Sequence, residues 1–294
     1  MNATGSPATI PPWILAVAAM LSVQLGSALS VGLIAQLGAA GTAWLRLSAG
    51  AVIFVLLARP PLRDVRRRDV APLLALGVVS GLMSVVFLAA IDRIPLGTAV
   101  AIEFLGPLMV AAVRSQSRQA LIWPALAMAG VLLLTEPWHG SVNLAGVGFA
   151  AVGAVFWASY ILLTQRIGDR FSGIKGLSLT IPVAALAAAV LGVPQAVGHI
   201  DLTVIAAAFG LALLLPVIPF ALEMVALRRM TPAAFGTLAA LEPGFGTLIG
   251  LIVLHQKPSV PQLLGMGFVV VAGAAAQRGG QRPLVDPTPA QAGA

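Results

Sequence analysis

Charge is scarce in this chain of 294 residues: lysine, arginine, aspartate and glutamate together make up only 9% of it, against about 25% in an ordinary soluble domain. A water-exposed surface cannot be assembled from so few ionised groups. Apolar residues account for 59% of the sequence and mean hydropathy is +0.99, so apolar side chains must face lipid as well as one another. The chain therefore reads as an all-α integral membrane protein, because a helix satisfies its backbone polar groups within the segment. Spans of about 20 residues, repeated ten times, leave only short loops and two tails. No separate soluble domain fits.

Proline, glycine and charge punctuate the sequence into ten predicted spans, at 13–35, 38–58, 70–91, 97–113, 119–135, 143–165, 176–193, 202–225, 232–254 and 260–277. Residues 1–12 form an N-terminal tail, without the basic residues that would open a cleaved signal peptide, so the first span is expected to be retained. Residues 278–294 are rich in Pro, Gly and Ala without periodicity and are expected to be a disordered tail.

The basic residues sort by side. Arg59, Arg63, Arg66, Arg67, Arg68, Arg114, Arg118, Arg166, Arg170, Lys175, Arg228, Arg229, Arg278 and Arg282 follow even-numbered spans, whereas Arg93 and Lys257 follow odd-numbered ones. Basic loops stay cytoplasmic, which predicts both termini inside and His139, His199 and His255 outside. The net charge of +7 is thus a topology signal, and no clustered basic patch with interleaved aromatics points to nucleic acid. With no cysteine in the chain, disulfides, thiolate metal sites and cysteine nucleophiles are excluded. No metal or cofactor is expected.

Sliding the sequence on itself by 136 residues lays 90–107 over 226–243, matching Ala90 with Ala226, Arg93 with Arg229 and Pro107 with Pro243. The same offset lays spans one to five (13–135) over spans six to ten (136–277). Five is odd, so the copies cross the membrane in opposite senses, the inverted-repeat plan of many secondary transporters, whose sites lie where the halves meet. Proline removes a helical hydrogen bond, and freed backbone is tolerated at membrane depth beside protein or a wet cavity. Pro107, Pro243, Pro216 and Pro219 are accordingly candidate helix breaks; Pro124 and Pro182 fit simple bends equally well.

Arg46, Glu103, Glu223 and Glu242 cannot be moved comfortably into loops, and intramembrane ionisable groups mark pathways or relays. Arg46 and Glu103 lie at similar depth, so an ion pair between them is one expectation. A second is a polar cavity in which a carboxylate takes a substrate ammonium or a proton while the guanidinium takes a substrate carboxylate. Glu223, near a helix end, is expected to pair with Arg228 or Arg229. Trp157 and Tyr160 fall one turn apart on one helix face, and Gln24 occupies the position of Tyr160 in the other repeat. These three are candidate lining residues for a small polar ligand. Gly77/Gly81 and Gly246/Gly250 read as close helix contacts.

The segments SVQLGSALSVGLIAQLGAAGTAWLRLSAG (22–50), IPLGTAVAIEFLGPL (94–108), FWASYILLTQRIG (156–168) and IPFALEMVALRRMTPAAFGTLAALEP (218–243) make the whole body resemble the EamA-like transporters of the drug/metabolite transporter superfamily, in particular the bacterial inner-membrane threonine/homoserine exporters. The resemblance implies a ten-helix inverted-repeat exporter of small metabolites driven by the proton gradient. It also implies that Arg46, Glu103, Glu223 and Glu242 occupy the family's arginine, IEFLGP, LEM and LEP elements. One departure stands out: many members end the ninth span with Gly-Glu, and here His255 and Gln256 stand there. His255 is the group that would titrate in place of that carboxylate.

The leading expectation is a substrate/proton antiporter for a small zwitterionic metabolite such as threonine or homoserine, embedded in the bacterial inner membrane. The alternative cargo on the same fold is a purine-type metabolite or an amphiphilic drug, relying on Trp157 and Tyr160. A remote alternative, an intramembrane enzyme, lacks a His-Glu-x-x-His motif, a phosphate loop and an intramembrane histidine. Oligomeric state is left open.

Overall fold

The computed structural model describes residues 10–60, 62–114, 121–139, 142–167, 174–227, 229, 235 and 238–279, and the regular structure among them is helical throughout. The expected tails lie almost wholly outside the described residues, as do Arg118, Arg170, Arg228 and Arg282. In chain order the elements are α1 (Pro12–Ala58), α2 (Arg67–Ile91), α3 (Leu96–Glu103), α4 (Leu105–Arg114), α5 (Ile122–Thr135), α6 (Leu144–Ile167), α7 (Ile174–Ala196), α8 (Leu202–Ala212), a π-helical turn at Leu213–Val217, α9 (Ile218–Leu227), α10 (Glu242–Val253) and α11 (Val260–Gly279). Among the described residues six stretches are long and apolar enough to cross a bilayer, and three shorter apolar helices accompany them.

Local chemistry starts several of these helices. Asp201 accepts from the Val204 N–H at 2.7 Å to cap α8, and Asn143 accepts from Gly146 at 3.0 Å to cap α6. Ser259 and Gln262 cap each other's backbone at the start of α11. Between the first two predicted spans there is no loop. α1 runs for 47 residues and bends at Gly38, whose φ of 71° and ψ of 167° suit glycine. The chain doubles back there, since Arg46 reaches Ser30. The Gln195 side chain of α7 secures the bend by accepting from the Ala40 and Gly41 N–H groups at 3.0 and 3.3 Å.

Outward faces are apolar: Leu56, Leu186 and Val190 are between 71% and 75% exposed, as lipid-facing side chains must be. Lipid is as apolar as leucine, so association of helices depends on close packing of small residues. α2 crosses α7 at Gly77 and Gly81, where a Cβ on Gly77 would lie 2.9 Å from the Thr180 carbonyl oxygen and one on Gly81 would strike that of Ala184. Backbone cannot yield there, so Gly81→Val should destabilise the protein by about 1–3 kcal/mol, read as a lowered unfolding midpoint in detergent. An unchanged midpoint would contradict this crossing. Elsewhere α1 packs on α7, α8 and α9, α2 on α6, α3 on α6 and α10, and α5 on α11.

Candidate functional site

Three interruptions of helix fall near the middle of the bundle. α3 stops at Glu103 and α4 begins at Leu105, two residues before Pro107; α10 begins at Glu242 after a turn at Ala240–Leu241, with Pro243 second in the helix. Phe104 and Ala240, at these two breaks, are separated by the same 136 residues as the sequence repeat. The third break surrounds Leu215, whose φ of −158° and ψ of 107° are extended rather than helical, just before Pro216. Ser22 of α1 donates to the Leu214 carbonyl there at 2.8 Å, satisfying backbone that the break exposes.

A cavity of about 470 Å³ lies among these breaks. Gln24, Arg46, Glu103, Trp157, Tyr160, Glu223 and Glu242, all seven candidate residues, line it together with Pro216 and Pro219. Pro107 and Pro243 stand outside the lining, at the breaks beside Glu103 and Glu242. Ser27, Ser80, Ser84, Thr164 and Thr180 add hydroxyls; sequence reasoning passed over the serines, although Ser80 and Ser84 are four apart on an otherwise apolar span and so share a face.

Arg46 is 3% exposed, and its Nη1 donates to Ser30 Oγ at 3.3 Å, while Ser30 donates to the Gly26 carbonyl at 2.7 Å. The expected ion pair between Arg46 and Glu103 does not form among the described residues. The fold-back at Gly38 brings the guanidinium to Ser30 instead, leaving the two charged groups as separate features of one cavity. Among the described residues neither the Glu103 Oε1 nor the Gln24 Oε1 has a hydrogen-bond partner, although both atoms are buried. Such atoms are costly to leave unpaired, and a transiently bound donor would relieve them.

Glu223 likewise makes no ion pair with Arg229 among the described residues, and Arg228 lies outside them. It projects from the same face of α9 as Pro219 and Phe220, four and three residues earlier, and all three line the cavity. Glu242 is near enough to interact electrostatically with both Glu103 and Glu223. Three acidic side chains thus share the cavity with one arginine. Trp157 packs edge-on to Phe104, with ring centroids 6.0 Å apart and planes at 69°, which fixes the aromatic wall.

The cavity lining includes Leu73, Thr164, Gly176 and Glu223, close to the helix ends that carry the arginine-rich loops. At the opposite ends polar side chains tie elements together. Gln256 accepts from the Leu96 N–H at 3.0 Å and so caps α3, and Ser259 donates to the Glu136 carboxylate at 2.7 Å. Gln256 therefore has a structural partner at the position where the resemblance led us to expect a glutamate. His255 is exposed, with a positive φ of 56°, and lies outside the cavity lining.

Lipid-facing helices closed around a polar cavity at broken segments define a multi-pass membrane transporter. Residues 144–275 match the EamA-like transporter family. The threonine/homoserine exporter RhtA of Escherichia coli (strain K12) is 33% identical over 280 residues, covering 91% of this chain and 92% of that one. The exporter of the same name from Salmonella typhimurium (strain LT2) is 32% identical over the same length. A solved structure shares the fold over 90% of this chain and 97% of its own, with a TM-score of 0.57 at 18% identity. The chain belongs to the EamA-like transporter family.

Proposed function

We propose that this protein exports small zwitterionic amino acids of the threonine and homoserine kind across the bacterial inner membrane in exchange for protons. The observation that carries the reading is the composition of the cavity: one buried guanidinium and three carboxyl groups around a space suited to a small ligand. Arg46 takes the substrate carboxylate in a forked contact. Glu103 and Glu242 take the substrate ammonium or a proton, but an arriving proton removes the negative charge that holds the ammonium. Occupancy by one therefore opposes occupancy by the other, which is the thermodynamic requirement for exchange. The names of the 33% and 32% identical relatives support the choice of cargo.

The working architecture in this proposal is ten membrane helices in two inverted halves, 13–135 and 136–277, with both termini cytoplasmic. Supporting it are the matched breaks at Phe104 and Ala240 and the packing of one pair of corresponding elements, α5 on α11. The contact of α2 with α6 has its counterpart in the approach of Gly26 in α1 to Leu214 and Leu215. Placing the arginine-rich loops in the cytoplasm makes the cavity accessible from within, the loading state of an exporter. The Gln195, Gln256 and Ser259 contacts then close the outer side.

Overexpressing cells test the cargo. They should tolerate inhibitory concentrations of homoserine and threonine analogues better than cells without the protein, with no change in tolerance to cationic dyes. Protection against dyes or purine analogues alone would replace amino acids with that cargo.

A further inference from the structure

The Glu103 side chain does not stand free in the cavity; it lies against the backbone of α6 at Gly153. A Cβ on Gly153 would strike the Glu103 Oε1 and would lie 2.9 Å from its carboxyl carbon and 3.0 Å from its Cγ. The same oxygen is one of the two buried side-chain atoms without a hydrogen-bond partner among the described residues. Glu103 is 7% exposed but lines the cavity, so the cavity is where its carboxyl would go if displaced. One turn along α4, Gly106 makes a similarly close approach to the Ala154 backbone, which fixes the separation of the two helices around the carboxyl.

We propose that Gly153 is a positioning residue for the transport reaction: its missing side chain is the seat of the Glu103 carboxyl. The proposal rests on the reading of Glu103 as a carrier of proton or ammonium. The three nearest atoms a new Cβ would meet all belong to the flexible side chain of Glu103, so Gly153→Ala moves the carboxyl rather than the helices. Alanine is also a better helix former than glycine, so the fold has no independent need for glycine here.

The test combines uptake of labelled threonine and homoserine by inside-out vesicles with the rate at which dicyclohexylcarbodiimide modifies Glu103, read by mass spectrometry. Gly153→Ala should lower the initial uptake rate at least about tenfold, as misplacement of a reacting group does, and should change the modification rate, without lowering the thermal midpoint. Adding Glu103→Asp, whose shorter side chain no longer places an oxygen at the Oε1 position, should bring uptake closer to the level of Glu103→Asp alone. Uptake and modification both unchanged in Gly153→Ala would overturn the proposal, as would lost uptake with no change at Glu103. Should Gly153→Ala destabilise the protein, adding Glu103→Ala must restore the midpoint, and failure to do so overturns it too. If the parent protein moves neither amino acid, the cargo reading falls while the modification rates still decide the role of Gly153.

Discussion

Arg46→Met is expected to abolish export of threonine and homoserine while leaving the amount of folded protein unchanged. The substitution replaces a buried charge with an apolar side chain of similar length, a change that is often neutral or stabilising for the fold. Its single hydrogen bond within the protein among the described residues, to Ser30, leaves the rest of the guanidinium fork for a ligand. Removing one side of a buried, hydrogen-bonded charge pair costs about 2–5 kcal/mol, or at least about thirtyfold in affinity. Arg46→Lys keeps the charge but loses the fork, so it should fall between the two. Saturation kinetics of uptake in vesicles separate these outcomes. Near-normal affinity in Arg46→Met would assign the arginine to structure.

The carboxyl groups carry the second large effect. Glu103→Gln and Glu242→Gln keep the size of the side chain and remove its ability to take and release a proton. Each should lose gradient-driven accumulation in inside-out vesicles, by at least about tenfold, while the protein still inserts and keeps its thermal midpoint. Exchange of labelled for unlabelled substrate with no gradient should survive better than accumulation, because it needs no net proton movement. Gradient-driven accumulation intact in both variants would remove these two residues from coupling.

Much of this was legible in the sequence because the membrane makes the relevant costs large. A run of twenty apolar residues has few alternatives to a buried helix, so the described helices fall on the predicted spans, while 232–234, 236 and 237 of the ninth span lie outside the described residues. A charge inside such a run has to face protein or a cavity, and for that reason the sequence singles out Arg46, Glu103, Glu223 and Glu242, all of which line the same cavity. Pro107, Pro216 and Pro243 marked breaks because the loss of a backbone hydrogen bond is a local event, written in the residue itself.

What escaped the sequence concerns rotation and proximity. Depth along a helix, counted at about 1.5 Å per residue, put Arg46 level with Glu103 but gave no azimuth, and the guanidinium points to Ser30 of its own element instead. That contact depends on the reversal at Gly38, which the predicted spans make only the first residue of the second span. Glu223 looked interfacial by distance from the end of its span, yet the break at Leu215 sets the direction of α9 and turns it into the cavity. Gly153 carried no signal of its own among 31 glycines. Its neighbour in space, 50 residues earlier in the chain, gives it meaning.

Uptake of labelled threonine and homoserine into inside-out vesicles, with and without an imposed proton gradient and beside a panel of unlabelled competitors, tests the central claim most directly. The account predicts accumulation that appears with the gradient, saturates, and is inhibited by small amino acids but not by purines or dyes. No gradient-dependent uptake by folded protein, or uptake inhibited only by aromatic compounds, would contradict it.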